Sequence, residues 1–392
     1  MIKILYLYEG GDKMKGSVKI PLFPTKEQEQ QFKEFCGTSR FIYNMTLAYK
    51  IDCYTNDSYN CKLQDLIDYV KTLKYSEGYS WLQDIPEAIQ KQSIKDMLTA
   101  YQRFFTSNNG FPKFKTKRSN KLSFYQRTDN LHLVDNTHIK ITGIKEPVRI
   151  HNHIKGLSYI IRKPLNPRVK FDGKQWYLTF SYECVNPNIT LTDNIVGVDL
   201  GLKDFAVTSD NTVYKNINKS KTVRKLEKRY VHLQRKLSKK FEQNKIGGRY
   251  IRTKNILRLK GELNNIQRRL NNIRDTYIHT VTFDLVKAKP KQIVIEDLNI
   301  KGMLKNRYLS KAISNQGFYK FRQYLSYKCE YWGIDLIVAD RYYPSSKTCS
   351  RCDNVKKHLS LSERVYKCDN CGSSINRDLN AAINLKSYAL AH

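Results

Sequence analysis

The sequence predicts an α+β protein of more than one domain, and three observations carry that expectation. The apolar periodicity switches from helix-like to strand-like and back along the chain. Two basic segments in the middle share a heptad pattern. Four of the nine cysteines stand as two C-x₂-C pairs near the C-terminus. A chain of 392 residues has room for two or three separate cores, and 40% hydrophobic residues suit a folded protein.

Residues 16–23 alternate in part and predict a strand that ends at Pro24-Thr25. Thr25 followed by Gln28 resembles a capping box, and from there to about Thr106 the pattern is helical. Phe32, Phe35 and Cys36 form one apolar face; Phe41, Ile42, Met45 and Tyr49 form another. A further helix is expected from about Pro86, carrying Ile89, Ile94, Met97, Leu98, Tyr101, Phe104 and Phe105. Residues 107–185 turn to short β-rich runs between Gly, Pro, Asn and Asp, among them His138–Thr142, Ser158–Arg162 and Trp176–Glu183. A small β-barrel or curled sheet is expected, with the helices inserted into it after the first strand. The stretch Gly110–Arg118 mixes aromatics with Lys113, Lys115, Lys117 and Arg118, which suits phosphate tracking with base stacking.

An α/β unit opens at Ile195–Leu200, a buried strand with Asp199 near its end. Phe205–Ser209 and Thr212–Tyr214 flank the turn signal Asp210-Asn211. Val223, Leu226, Tyr230, Leu233 and Leu237, then Ile256, Leu259, Leu263, Ile266, Leu270, Ile273 and Tyr277, step by three and four around Gly247-Gly248. That spacing predicts an antiparallel helical hairpin. Its other faces are basic and include Arg224, Lys228, Arg235, Lys239, Arg252 and Arg258; only Glu227, Glu242 and Glu262 oppose them between 219 and 274. A phosphate-binding arm is the expectation. A strand at Lys291–Leu298, a helix around Gly317–Tyr331, a strand at Ile334–Ala339 and a last helix at Leu379–Tyr388 complete the unit.

The charge balance is lopsided, with 69 Lys+Arg against 36 Asp+Glu, a net of +33. Such an excess repels itself unless a polyanion offsets it, and nucleic acid is the obvious one. Packaging proteins and anionic-membrane binders share this feature, so composition alone does not define an enzyme. No apolar run approaches the roughly 18 residues of a membrane span. The opening Met1–Tyr8 is too short for a secretory core, so a soluble cytoplasmic protein, nucleoid-associated when bound to DNA, is expected.

Cys36, Cys53, Cys61, Cys184 and Cys329 are scattered, whereas Cys349, Cys352, Cys368 and Cys371 cluster with fifteen residues between the pairs. Four thiolates in two knuckles predict one structural Zn²⁺, closed to water. Gly372 supplies the open turn after one knuckle, and Asp353-Asn354 stands there in the other. Three acids occupy places where a plain core would put apolar residues: Asp199 and Glu296 at strand ends, and Asp378 at a helix start. Asp297 neighbours Glu296 but points to the opposite strand face. Three carboxylates at the ends of one α/β unit suit two Mg²⁺ about 4 Å apart, as in phosphodiester hydrolysis.

Val198-Asp-Leu-Gly-Leu-Lys-Asp-Phe-Ala, Ile295-Glu-Asp-Leu, Pro344-Ser-Ser-Lys-Thr-Cys-Ser-Arg-Cys and Arg377-Asp-Leu-Asn-Ala-Ala-Ile-Asn resemble the TnpB family, relatives of the type V CRISPR effectors. Leu22–Thr25, Arg40-Phe-Ile-Tyr-Asn and Gly110-Phe-Pro-Lys-Phe also resemble family segments. The resemblance implies a wedge-like β-barrel (1–25 and 107–190) interrupted by a helical recognition domain (26–106). An RNase H-like RuvC nuclease domain (191–392) follows, with the basic hairpin at 220–285 and a zinc ribbon at 345–375. It implies that Asp199, Glu296 and Asp378 are a catalytic triad, and that the partners are a guide RNA and double-stranded target DNA bearing a short adjacent motif. Asn376 stands where many relatives carry another acid, the longer tail of relatives is missing after Asp378, and Met14 is an alternative start. The rival expectations are a compact type V CRISPR effector, a nuclease-inactive RNA-guided binder, and a transposase or transcription factor that reads DNA by its own side chains. For the last, no helix-turn-helix is evident.

Overall fold

The computed structural model describes residues 5–7, 14–107, 109–117, 122–151, 161–184, 189–360 and 362–391. The fold is mixed α+β, in two compact units that divide between Val185 and Asn186.

The first unit is built on an antiparallel sheet. Strand β1 (Leu5–Leu7) pairs with β2 (Met14–Phe23), and helices α1 (Lys26–Asp57), α2 (Leu63–Leu73) and α3 (Glu87–Thr106) follow. The strands β3 (Leu122–Tyr125), β4 (His132–Asp135), β5 (His138–Lys140), β6 (Val148–Ile150), β7 (Leu165–Phe171) and β8 (Trp176–Cys184) then return to β2. The order is β3-β7-β8-β2-β6-β5-β4, so the helices leave and re-enter one sheet. Thr25 starts α1 with the expected capping box, its hydroxyl accepting from the Gln28 N–H and the Gln28 side chain accepting from the Thr25 N–H. The 32 residues of α1 span about 48 Å at 1.5 Å per residue, enough to serve two cores. Phe32, Phe35 and Cys36 pack on Ile20, Phe124 and Trp176 of the sheet, while Ile42, Tyr43 and Leu47 pack with Leu66, Val70, Ile94 and Met97 of the helices. Arg168 of β7 grips Asp96 of α3 with two bonds of 2.7 Å.

One expected strand differs. Of Ser158–Arg162, the described residues Ile161 and Arg162 form a turn, and the others lie outside the described residues. The ladder begins only after Pro164, whose missing N–H cannot join it.

The second unit contains a five-stranded sheet. It starts with β9 (Ile195–Leu200), β10 (Asp204–Thr208) and β11 (Val213–Lys215), turning at Asp210-Asn211 as expected. The hairpin follows as α4 (Lys221–Gln243) and α5 (Lys254–Lys287), joined by β12 (Lys245–Ile246) and β13 (Arg249–Tyr250). Gly247 and Gly248 between these strands both have positive φ, the signature of a tight two-residue turn. Val223, Leu226, Leu233, Leu237, Ile256, Leu259, Ile266 and Leu270 form the seam. The last turns of α5 continue past the hairpin and pack against a later helix.

Strand β14 (Gln292–Glu296) precedes α6 (Ile300–Met303), α7 (Ser310–Gln316) and α8 (Phe318–Trp332), and then β15 (Asp335–Ala339). The order is β11-β10-β9-β14-β15, with β14 parallel to both neighbours. Two short strands, β16 (Val365–Lys367) and β17 (Ser374–Asn376), lead into α9 (Arg377–Ala391). Helix α9 lies across β9 at Gly197, where an added Cβ would overlap the Ala382 carbonyl. Ala381, Ala382 and Leu385 are fully buried there.

Two glycine substitutions test this packing. Gly197→Ala should cost about 1–3 kcal/mol, because helix and strand must part to admit the methyl group. Gly261→Ala, in the interior of α5 with nothing within 4 Å of the new Cβ, should stabilise by about 0.5–1 kcal/mol. Denaturant unfolding measures both, and equal effects at the two sites would contradict this packing.

Candidate functional site

Side chains two apart on a strand share a face, so Gly197 and Asp199 of β9 face the same way, as do Val294 and Glu296 of β14. Gly197 touches α9, and Val294 packs with Leu385 of α9. Asp199 and Glu296 therefore lie on the face that α9 covers. The parallel register pairs Ile295 with Val198, which makes Glu296 and Asp199 the next neighbours across the two strands. Asp378 stands in the first turn of α9, where the helix N-terminus favours negative charge. Asn376 caps that turn, its side-chain oxygen accepting from the N–H groups of Asp378 and Leu379 at 2.9 and 3.2 Å. An amide at 376 thus has a structural task in orienting the helix that carries Asp378.

Asp199 is buried, and among the described residues no ion pair reaches it. Burial, then the charges of Glu296 and Asp378, push its carboxyl well above the usual range, with Arg377 opposing. Burial also raises Glu296, against the hydroxyl of Ser345, which donates to Glu296 Oε1, and the charge of Arg377. Asp297 is turned elsewhere: Arg341 and Arg322 bond its two oxygens and hold it below the usual carboxylate range. Asp378 lines a cleft of about 400 Å³ with Asn376, Lys203, Lys215 and Lys219. Two acids left facing each other in a covered place, beside a third, form a set that a divalent cation would relieve.

The four sulfurs of Cys349, Cys352, Cys368 and Cys371 lie within 4.8 Å of one another, the one such cluster of three or more potential ligands among the described residues. The knuckles repeat one pattern. Cys349 N–H donates to Asn354 O and Asp353 N–H to Cys349 O; Cys368 N–H donates to Ser373 O and Gly372 N–H to Cys368 O. Asp353 and Gly372 both take positive φ, 58° and 70°, so Asp353 stands in for a glycine as expected. Tyr366, fully buried, packs on Cys349 and Cys368 and donates its hydroxyl to the Lys347 carbonyl. Backbone N–H groups of Cys371 and Asn370 pull the Cys368 thiol down to about 6, towards the thiolate a metal needs. The cluster has the donors and the spread to hold one metal ion.

The basic residues divide. Arg224, Lys228, Arg235 and Lys239 are exposed and recur at steps of four, seven and four, one stripe along α4. Arg258 is exposed on the other arm, 3.7 Å from Glu262, and Arg252 is exposed in the connection just before it. The acids add little opposition: Glu227 is engaged by Arg274 and Glu242 by Tyr250. Lys113, Lys115 and Lys117 are exposed; Lys115 also sits 3.6 Å from the Tyr43 ring centre while its backbone bonds Asn44. Arg118 lies outside the described residues. Ser345, Asn380 and Asn384 stand within the segments that resemble the TnpB family, but the resemblance assigns them no role. The two asparagines are legible afterwards as two polar residues one turn apart amid the buried Ala381, Ala382 and Leu385.

Three family models match: "Probable transposase" over 179–307, "Cas12f1-like, TNB domain" over 318–385, and "Helix-turn-helix domain" over 14–58. The last stretch is here a strand and one uninterrupted helix. A Streptomyces pristinaespiralis protein named "Putative RNA-guided DNA endonuclease" is 25% identical over 96% of this chain and 90% of its own length. "Putative RNA-guided DNA endonuclease InsQ" of Escherichia coli is 27% identical over 94% of this chain and 90% of its own. The structure titled "Cryo-EM structure of the Cas12f1-sgRNA-target DNA complex" shares the fold, with a TM-score of 0.62 and 15% identity over 92% of this chain and 83% of the other. These matches define the class, proteins with a transposase-type middle and a Cas12f1-like C-terminal segment. Within it, the resemblance is to the TnpB family.

An acid whose pKa is raised on folding costs stability as pH climbs from the ordinary carboxylate range to the raised value, and the cost is complete above it. Asp199→Asn should therefore raise the melting temperature of cation-free, nucleic-acid-free protein at pH 8 by about 2–4 °C for each kcal/mol recovered. The gain should shrink at pH 4, and a fall at pH 8 would contradict the burial of a lone charge. Elemental analysis should find about one thiophilic metal ion per chain. Cys368→Ser should lose it and disorder the C-terminal region in hydrogen exchange; metal-free protein with unchanged protection would rule the site out.

Proposed function

We propose that this protein is a transposon-encoded, RNA-guided DNA endonuclease that cuts beside a short adjacent motif by Mg²⁺-dependent hydrolysis. The observation that carries the reading is the pair Asp199 and Glu296 on neighbouring parallel strands under the helix whose first turn carries Asp378. Relatives of 25% and 27% identity over nearly the whole chain bear the corresponding name. On this reading residues 191–392 are an RNase H-like RuvC nuclease domain, 26–106 a helical recognition domain, and 1–25 with 107–190 a wedge-like β-barrel.

Asp199, Glu296 and Asp378 would hold two Mg²⁺, which supply an activated water and charge neutralisation at the leaving oxygen. The chain's own part is to gather three carboxylates that would otherwise repel, and to offer Lys203, Lys215 and Lys219 along the adjoining cleft to the phosphates of the strand being cut. Zn²⁺ in the four-cysteine cluster, as a ribbon, would fix the chain just before Asp378. The exposed stripe on α4 and the basic face of α5 would bind phosphates of the guide RNA, whose base pairing selects the target DNA.

Purified ribonucleoprotein, given a plasmid library with a matched target and randomised flanks, should cut only guide-matched DNA beside one enriched flank. Reprogramming the guide should redirect the cut, and Asp199→Ala, Glu296→Ala or Asp378→Ala should abolish cutting while binding persists. RNA-independent cutting, or undiminished cutting by all three variants, would sink the reading. Reversing Arg224, Lys228 and Arg235 to Glu should weaken RNA retention and reduce its salt slope by roughly 0.7–0.9 for each phosphate no longer neutralised. An unchanged slope would remove the hairpin from the RNA interface.

A further inference from the structure

Asn380 and Asn384 lie one turn apart on α9 and are both buried. Asn380 accepts from the Ser350 N–H at 3.0 Å and donates to the Thr348 carbonyl at 2.7 Å. Asn384 donates at 2.7 Å to the carbonyls of both Ser345 and Thr348. All four bonds go to one short segment, with Ser345 at one end and the first knuckle at the other. Ser345 is itself buried, and its hydroxyl donates to Glu296. An apolar side chain could fill the same volume, but at 384 it would take the amide donor from the Ser345 carbonyl, and at 380 the acceptor from the Ser350 N–H. The two amides are there to hold that segment.

We propose that Ser345 is a positioning residue for Glu296, fixing its carboxylate to receive a divalent cation, and that Asn380 and Asn384 hold Ser345 in place by fastening its segment to the helix that carries Asp378. The inference rests on Glu296 being a cation ligand, as in the function proposed above. Its physical basis is rotational. A carboxylate at a strand end can turn about its side-chain bonds. A buried hydroxyl bonded to Oε1 removes that freedom and leaves Oε2 for the cation. Partners of this kind orient ligands and set affinity without touching the metal. The same segment runs directly into Cys349, so a metal ion in the cysteine cluster steadies Glu296 and Asp378 together.

The test is Mn²⁺ binding to nucleic-acid-free protein, followed by the electron paramagnetic resonance signal of free Mn²⁺, which needs no cleavage. Ser345→Ala should weaken binding about tenfold, with the cysteine-bound metal and the melting temperature retained. Ser345→Thr, which restores the hydroxyl, should restore affinity, and Asn384→Ala should weaken it as Ser345→Ala does. In the ribonucleoprotein, Ser345→Ala should raise the Mg²⁺ concentration for half-maximal cutting more than it lowers the rate at saturation. Glu296→Gln separates the two ways of failing. Mn²⁺ affinity lowered by Glu296→Gln but not by Ser345→Ala overturns the role of Ser345. Affinity untouched by either overturns the carboxylate site, and this proposal with it. Loss in Ser345→Ala that Ser345→Thr does not repair, or that accompanies loss of the cysteine-bound metal, assigns Ser345 a structural role only.

Discussion

The parallel pairing of β9 with β14 brings together two acids that are 97 positions apart in sequence and would repel in water. Backbone hydrogen bonds fix the register, the register fixes which side chains are neighbours, and strand alternation turns both acids to the face that α9 covers. The approach of α9 depends in turn on the missing side chain at Gly197. One glycine, one register and one helix cap at Asn376 therefore suffice to set two carboxylates at strand ends under the helix whose first turn carries a third. The cost appears as the raised pKa of Asp199, an electrostatic strain that a bound cation would convert into affinity.

Around this centre the chain separates two kinds of charge. Several acids outside the centre are engaged by basic groups, as Asp297 is by two arginines, Asp96 by Arg168 and Glu227 by Arg274. Most cations of the hairpin, Arg274 apart, stand outside a seam of Val, Leu and Ile. A polyanion can then bind without disturbing the packing, and the net +33 becomes a surface property and not a fault in the core.

Much of this was legible because the signals are local or periodic. A strand interrupted by an acid, as in Val198-Asp199-Leu200, announces itself against its apolar neighbours. The cysteine spacing, the heptads and the Thr25–Gln28 cap are likewise read within a few residues. The interactions that escaped join residues distant in sequence and carry no period. Ser345 finds Glu296 49 positions away, and Arg168 finds Asp96 72 positions away. The turn at Ile161-Arg162 escaped for another reason: a five-residue run is too short for alternation to outweigh the proline that follows.

The central claim is that the sheet and α9 assemble a divalent-cation site distinct from the cysteine cluster. Anomalous diffraction from crystals soaked in Mn²⁺ tests it most directly. The predicted result is a manganese peak bounded by Asp199, Glu296 and Asp378, lost in crystals of Glu296→Gln, and a separate peak of another metal among the four cysteines. Manganese absent from the carboxylates, or bound there unchanged in Glu296→Gln, would contradict it.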